Sequence, residues 1–264
     1  MRVQGKVVVI TGAAHGIGAA LARRFAAAGA AGILVADLDG EAARDLAEEL
    51  QRSGCHAIAT RTDVGVEAEV AAMVATAQEQ LGPIDLLCSN AGRIFGRGLD
   101  ATADEWASAW SVNLMAHVHA ARAVVPSMRE RGFGYLLNTC SAAGLLAQPG
   151  DALYTATKHA AVGFAEWLAL TYGDDGIRVS ALCPQGVRTD MLAGGLEAGN
   201  HGAKVVAASG GVLEPEQVAE TVVEGLDAER FLILPHPEVT KYEQRKTGDR
   251  DRWLAGMRKM MRST

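Results

Sequence analysis

Unbroken apolar runs recur along this chain, and most are followed by a stretch in which apolar residues return every three or four positions. Val7-Val8-Val9-Ile10, Ile33-Leu34-Val35-Ala36, Leu86-Leu87-Cys88 and Tyr135-Leu136-Leu137 are such runs. They do not alternate with polar residues, which is the pattern of strands buried on both faces. Further strands are predicted at Ala57-Ile58-Ala59-Thr60, Ile177 to Leu182 and Phe231 to Leu234. Between them, Ile17, Leu21 and Phe25 share one helical face, as do Val70, Met73, Val74, Ala77 and Leu81. Strands alternating with helices predict an α/β chain, doubly wound, with about seven parallel strands and helices on both sides. Asp39 is the expected cap of a helix over 41–52, and Thr102-Ala103-Asp104-Glu105 is a capping box opening a long helix over 103–130. Pro126 should kink or end that helix. Another long helix is expected over 151–172.

No linker, repeat or low-complexity segment divides the 264 residues, so one domain over 1–264 is expected. The pattern changes after Pro184. Residues 186–214 are glycine-rich with scattered apolar groups, too long for an ordinary connection, and read as a lid over a substrate. Residues 238–264 form a basic tail in which Trp253, Met257 and Met261 recur at helical spacing. Three readings of that tail stand together: it closes the substrate site, meets a neighbouring subunit, or is a solvated cap.

Charge and composition narrow the function. A net charge of −6 gives no general drive toward nucleic acid or acidic membranes, and no apolar run is long enough to span a bilayer. The N-terminus enters a strand almost at once, leaving no room for a signal peptide. Cys55, Cys88, Cys140 and Cys183 are far apart and sit in or beside apolar runs, as reduced core residues of a cytoplasmic protein do; no metal site is expected.

The chemistry begins at Thr11-Gly12-Ala13-Ala14-His15-Gly16-Ile17-Gly18, which lies between a predicted strand and a predicted helix. In that context Gly12 permits a tight turn, Gly16 lets backbone approach a pyrophosphate, and Gly18 lets helix and strand pack closely, with the helix N-terminus facing phosphate. Asp37 ends the next strand, placed to accept hydrogen bonds from an adenosine ribose and to repel a 2′-phosphate. Leu38 and Asp39 follow it rather than a base, which favours NAD over NADP. Tyr154 and Lys158 are four apart on a predicted helix and share a face, so an ammonium stands near a phenol and favours the phenolate. Such a pair is weak alone. Asn113, an amide within an apolar stretch, and Ser141, at the end of the fifth strand, add to it.

Together these residues resemble the short-chain dehydrogenase/reductase family in its compact, single-domain Rossmann form, from Lys6 to about Leu234. The glycine loop, Asp63, Asn90-Ala91-Gly92 and the set Asn113, Ser141, Tyr154 and Lys158 appear in the family's order and spacing. The resemblance implies an NAD-dependent oxidoreductase interconverting a secondary alcohol and a ketone. Tyr154 would be the general acid/base, Ser141 would place the substrate oxygen, Lys158 would lower the phenol's pKa and bind the nicotinamide ribose, and Asn113 would hold a proton-relay water. The implied cofactor contacts are Gly12, Ala14, His15, Gly16, Ile17, Gly18, Asp37, Leu38, Asp63, Val64, Asn90, Ala91, Gly92, Tyr154, Lys158, Pro184, Val187 and Thr189.

One stretch departs from the family. Gln185 follows Pro184 where a glycine is usual, and Gly186 comes one place late. The backbone path there is open, and Gln185 is a candidate substrate contact together with Ser141, Ala143, Gln148 and Met191. Apolar residues around these positions point to a medium-sized hydrophobic alcohol or ketone. Arg93 could meet an acidic group, though a solvated arginine is the simpler reading. A homo-oligomer, tetramer or dimer, is expected. The competing reading is a non-catalytic NAD-binding sensor or scaffold, against which the complete set of four residues argues.

Overall fold

The apolar runs become seven parallel strands in a computed structural model that describes residues 1–209 and 211–263. In chain order they are β1 (Val7–Thr11), β2 (Gly32–Asp37), β3 (Ala57–Arg61), β4 (Leu86–Ser89), β5 (Gly134–Thr139), β6 (Ile177–Leu182) and β7 (Leu232–Ile233). The sheet order is β3-β2-β1-β4-β5-β6-β7, so the direction of winding reverses between β1 and β4. The carboxyl ends of those two strands form the crevice where doubly wound sheets bind ligands.

Residues of β1 feed two cores. Val8 and Ile10 join Leu21 and Phe25 of α1 (Gly16–Ala27) and Leu46 of α2 (Gly40–Arg52) on one face. Val7 and Val9 join Met73 and Val74 of α3 (Glu67–Leu81) on the other. This is why Val7 to Ile10 are all apolar: successive side chains point to opposite faces and both are covered. Asp39 caps α2 by accepting from Ala42 N–H, and the Thr102–Glu105 box caps α4 (Ala103–Trp110).

The long helix expected over 103–130 is interrupted upstream rather than at its proline. A π turn over Ser111–Met115 separates α4 from α5 (Ala116–Arg131), and Pro126 lies inside α5 without ending it. The proline forgoes one backbone hydrogen bond near the helix end. Val124, Val125 and Met128 around it are buried and hold that turn in place. The short α6 (Ala142–Leu145) and α7 (Ala152–Tyr172) follow β5.

Residues 186–214 are not a structureless loop; they hold α8 (Asp190–Glu197) and α9 (His201–Ser209). α10 (Pro215–Asp227) precedes β7. The tail is two helices, α11 (Glu238–Gly248) and α12 (Arg250–Ser263), rather than one. Asp249 breaks it and caps the second, its Oδ1 accepting from Arg252 N–H at 2.9 Å. No helix among the described residues is long and apolar enough to cross a membrane.

Candidate active site

The glycine loop turns at Gly12, whose φ of +59° is open to glycine at little cost. Gly18 stands directly beneath it: a Cβ there would lie 2.1 Å from Gly12 O and 2.8 Å from Asn90 Nδ2. A Cβ on Gly16 would meet the Thr189 methyl at 2.9 Å, so the loop and the segment after β6 close on one another. Asn90 fastens the crevice. Its Nδ2 donates to Thr11 O and Gly12 O at 3.1 and 3.0 Å, and its Oδ1 accepts from Thr139 Oγ1 at 3.1 Å. One amide thereby ties the ends of β1, β4 and β5.

Asp37 Oδ2 accepts from Ala14 N–H at 2.9 Å and Oδ1 from Asp39 N–H at 3.0 Å, which sets the carboxylate at the mouth of the loop. Asp63 Oδ1 accepts from Gly65 N–H at 2.9 Å. These groups, the glycine loop and the Tyr–Lys pair line one cavity of about 690 Å³. Every expected cofactor contact lies on its wall except Ala14 and Gly18, which sit behind it, one holding Asp37 and the other packed under Gly12.

Ser141 follows β5 with a φ of 154°, a backbone region that costs a non-glycine residue about 1–3 kcal/mol. Its neighbours hold it there: Cys140 N–H donates to Leu182 O and Ala142 N–H to Pro184 O, each at 2.8 Å. Tyr154 and Lys158 come from one face of α7. Burial pushes the Tyr154 phenol up to about 12, against a hydrogen bond with Ser141 that draws it down. Burial also lowers the pKa of Lys158, whose Nζ donates to Thr139 O at 2.9 Å and lies 5.6 Å from the Tyr154 ring centre. In the protein alone, then, burial outweighs the Ser141 hydrogen bond, and the phenol stands above its free value rather than below it.

Asn113 is fully buried in the π turn, a device often found at functional sites. Its Oδ1 accepts from Arg93 N–H at 2.9 Å, and its Nδ2 donates to Arg93 O and Thr157 Oγ1 at 3.0 and 3.2 Å. The side chain thus joins the loop after Gly92 to the Tyr–Lys helix. Arg93 itself lines the 690 Å³ cavity and lies over the Phe95 ring at 4.6 Å.

A second cavity, of about 880 Å³, opens beside Ser141 and extends to the tail. Ala143, Gln148 and Gln185 line it; Met191 instead lines the first cavity and a pocket of about 90 Å³ between the two. Ser141 and Gln185 are shared by all three spaces. The backbone at Gln185 is settled by His236, which is buried after β7. His236 Nδ1 accepts from Gln185 N–H at 3.1 Å, and Nε2 lies 3.1 Å from both Gly186 O and Gly211 O, so the ring carries its proton on Nε2. Val187 then pairs with Leu213, joining the two ends of the segment expected as a lid.

Sequence reasoning passed over Asp151 and His236. Asp151 Oδ2 accepts from Phe95 and Gly96 N–H at 2.8 and 2.7 Å, and Oδ1 from Tyr154 N–H at 2.8 Å, so it sets the start of the Tyr–Lys helix. An aspartate three residues before Tyr154 is the N-cap pattern that marks it. Nothing local marks His236, whose ring partners lie 25 to 51 residues away.

Comparison with known proteins agrees with this geometry. The family model described as short chain dehydrogenase matches residues 6–200. The chain is 37% identical over 244 residues to 1-deoxy-11-beta-hydroxypentalenate dehydrogenase of Streptomyces exfoliatus, covering 90% of this chain and 86% of that one. It is 36% identical over 220 residues to meso-2,3-butanediol dehydrogenase of Serratia marcescens, covering 83% and 86%. A short chain dehydrogenase/reductase from Burkholderia phymatum, solved in complex with NAD, superposes with a TM-score of 0.87 at 31% identity, covering 95% of this chain and 96% of that one. A glycine-loop crevice, a buried Tyr–Lys pair beside Ser141 and relatives that act on hydroxyl groups lead to one assignment: this chain belongs to the short-chain dehydrogenase/reductase family and is an oxidoreductase acting on CH–OH groups.

Proposed function

We propose that the protein interconverts a secondary alcohol and a ketone with NAD, with Tyr154 as general acid/base and a medium-sized apolar molecule as substrate. The observation that carries this reading is the position of Ser141, which lines both the cavity of the glycine loop, where Tyr154 also stands, and the largely apolar cavity beside it. The residues present fit a dinucleotide: the loop has no room for a Cβ at Gly12, Gly16 or Gly18, and a carboxylate stands at its mouth. Gly12, Gly16 and the α1 N-terminus would hold the pyrophosphate, Asp37 the adenosine ribose, Lys158 the nicotinamide ribose, and Val187 with Thr189 the carboxamide. When bound, the cofactor supplies the ring that exchanges a hydride with the carbinol carbon.

Ser141 Oγ fixes the substrate oxygen. With its phenol pushed up to about 12, Tyr154 rests protonated and is set to give a proton to a ketone. In the oxidative direction it takes the alcohol proton, which Lys158 assists by favouring the phenolate. Asn113, whose amide is held by Arg93 and Thr157, is assigned the water that would link Lys158 to solvent. Asp37 disfavours NADP through repulsion of its 2′-phosphate. All four cysteines are free thiols, which supports a cytoplasmic location. Trp167 and Leu170 on α7, 50% and 86% exposed, offer an apolar face for a homo-oligomer, and the mass in solution tests that.

The central test is turnover of a panel of secondary alcohols, from cyclic alcohols to steroids, with NAD and with NADP, before and after Tyr154→Phe. NAD should be preferred at least about tenfold. The variant should still bind NADH while kcat falls by about 10²–10⁴. Unchanged turnover in Tyr154→Phe removes the tyrosine from the mechanism, and equal efficiency with both cofactors removes Asp37. NADH binding with no turnover across the panel favours a sensor or scaffold.

A further inference from the structure

We infer that the substrate carries a carboxylate on its apolar body, and that Arg245 and Arg252 receive it. The inference rests on the reading that the 880 Å³ cavity holds the alcohol. That cavity touches Ser141 and Gln185 on one side and the two tail helices on the other. Its volume suits a ligand of drug-like size. Much of its wall is apolar, with Leu146, Val206, Trp253 and Met257 among the lining residues. Against that background it carries two guanidinium groups, Arg245 at the end of α11 and Arg252 at the start of α12.

Elsewhere on the molecule several arginines are neutralised. Arg23, Arg24, Arg129, Arg178 and Arg188 each face a carboxylate at 2.5–3.0 Å. Among the described residues neither Arg245 nor Arg252 has such a partner. The one acidic residue on the cavity wall is Asp249, and its Oδ1 already accepts the Arg252 backbone N–H as a helix cap. Two cations against one carboxylate leave this wall positive in a protein whose net charge is −6. The wall is also fixed in place. Lys246, beside Arg245, is buried and donates to Leu145 O and Leu146 O, four and five residues past Ser141. The arginines are thus tied to the segment that positions the reacting oxygen. A planar guanidinium fork matches a carboxylate in two parallel hydrogen bonds. Both arginines are exposed, so water competes with the ligand and the gain is moderate.

The test is calorimetric binding to the protein saturated with NADH, which requires no turnover. The probes are decanoate, adamantane-1-carboxylate and cholate, each against its uncharged methyl ester. At least one acid should bind about tenfold more tightly than its ester, the ratio expected for one charge-assisted hydrogen-bond pair. That ratio should shrink at high salt and fall to within about twofold in Arg245→Gln/Arg252→Gln. NADH affinity of the variant reports whether it has folded. Equal binding of acid and ester by the wild-type protein overturns the inference without any variant, as does binding of none of the probes. A preference that survives both substitutions overturns the assignment to these arginines. The outcome is separable from the proposed activity. Efficient turnover of neutral alcohols with no acid preference leaves the activity standing and removes the carboxylate. An arginine-dependent acid preference with no turnover does the reverse.

Discussion

The ammonium of Lys246 donates to the carbonyl oxygen of Leu145 at 2.6 Å across 101 residues of sequence, and to Leu146 O at 2.5 Å. These carbonyls end α6, the helix that Ser141 caps, where the backbone has no intrahelical donors of its own. Burial lowers the Lys246 pKa, but its partners are two carbonyls and the His159 ring nitrogen, acceptors that bond the charged ammonium well. Lys246→Met should therefore strand those carbonyls and loosen the tail. A loss of about 1–3 kcal/mol in stability is expected. Faster tryptic cleavage at the basic residues of the tail, from Lys241 onward, and a raised KM for any identified alcohol should accompany it. Cleavage and KM equal to wild type would show that the tail is seated by something else.

Gly18 has no space for a methyl group, since a Cβ would lie 2.1 Å from Gly12 O and 2.8 Å from Ala13 Cα. These are backbone atoms and cannot step aside. Gly18→Ala should cost about 3 kcal/mol or more and abolish NADH binding. Gly194, within α8, has nothing within 4 Å of its Cβ position. Gly194→Ala should instead stabilise by up to about 1 kcal/mol through helix propensity. Thermal unfolding of both variants, with NADH titration, checks the contrast; similar effects from the two would refute the packing argument.

His117 is buried beside Asn138, its Nδ1 3.2 Å from Asn138 Oδ1. Burial first, and the Lys158 charge second, push its pKa down to about 3 from an ordinary 6.5. The folded protein keeps this ring neutral where the unfolded chain protonates it. Its contribution to stability is therefore complete above pH 6.5 and is lost as pH falls from there toward 3. Unfolding free energy should drop through that window. His117→Gln should flatten the slope by about 1.4 kcal/mol per pH unit. Denaturant titrations at pH 4 to 7 measure it; an unchanged slope would mean that the ring is not held neutral.

Much of this molecule is local and was legible. The apolar runs mark strands because a sheet covered on both faces needs apolar residues at every position. Asp39 and Thr102 mark helix starts because they satisfy backbone groups within three residues. The glycine loop, Asp37 and the Tyr–Lys spacing are likewise short-range patterns. Pro126 does not end its helix, because burial of Val124, Val125 and Met128 around it outweighs the local rule.

The amino-acid order by itself determined the strands, the helices, the glycine loop and the four candidate residues Asn113, Ser141, Tyr154 and Lys158, since each depends on neighbours within one turn or one strand. Tertiary structure alone decided the rest. His236 sets the path of Gln185 from fifty-one residues away, Asn90 ties three strands at one point, and Lys246 brings a basic tail to the wall beside Ser141. A buried donor or acceptor must find a partner wherever the fold places one, and no spacing in the chain announces which partner that is.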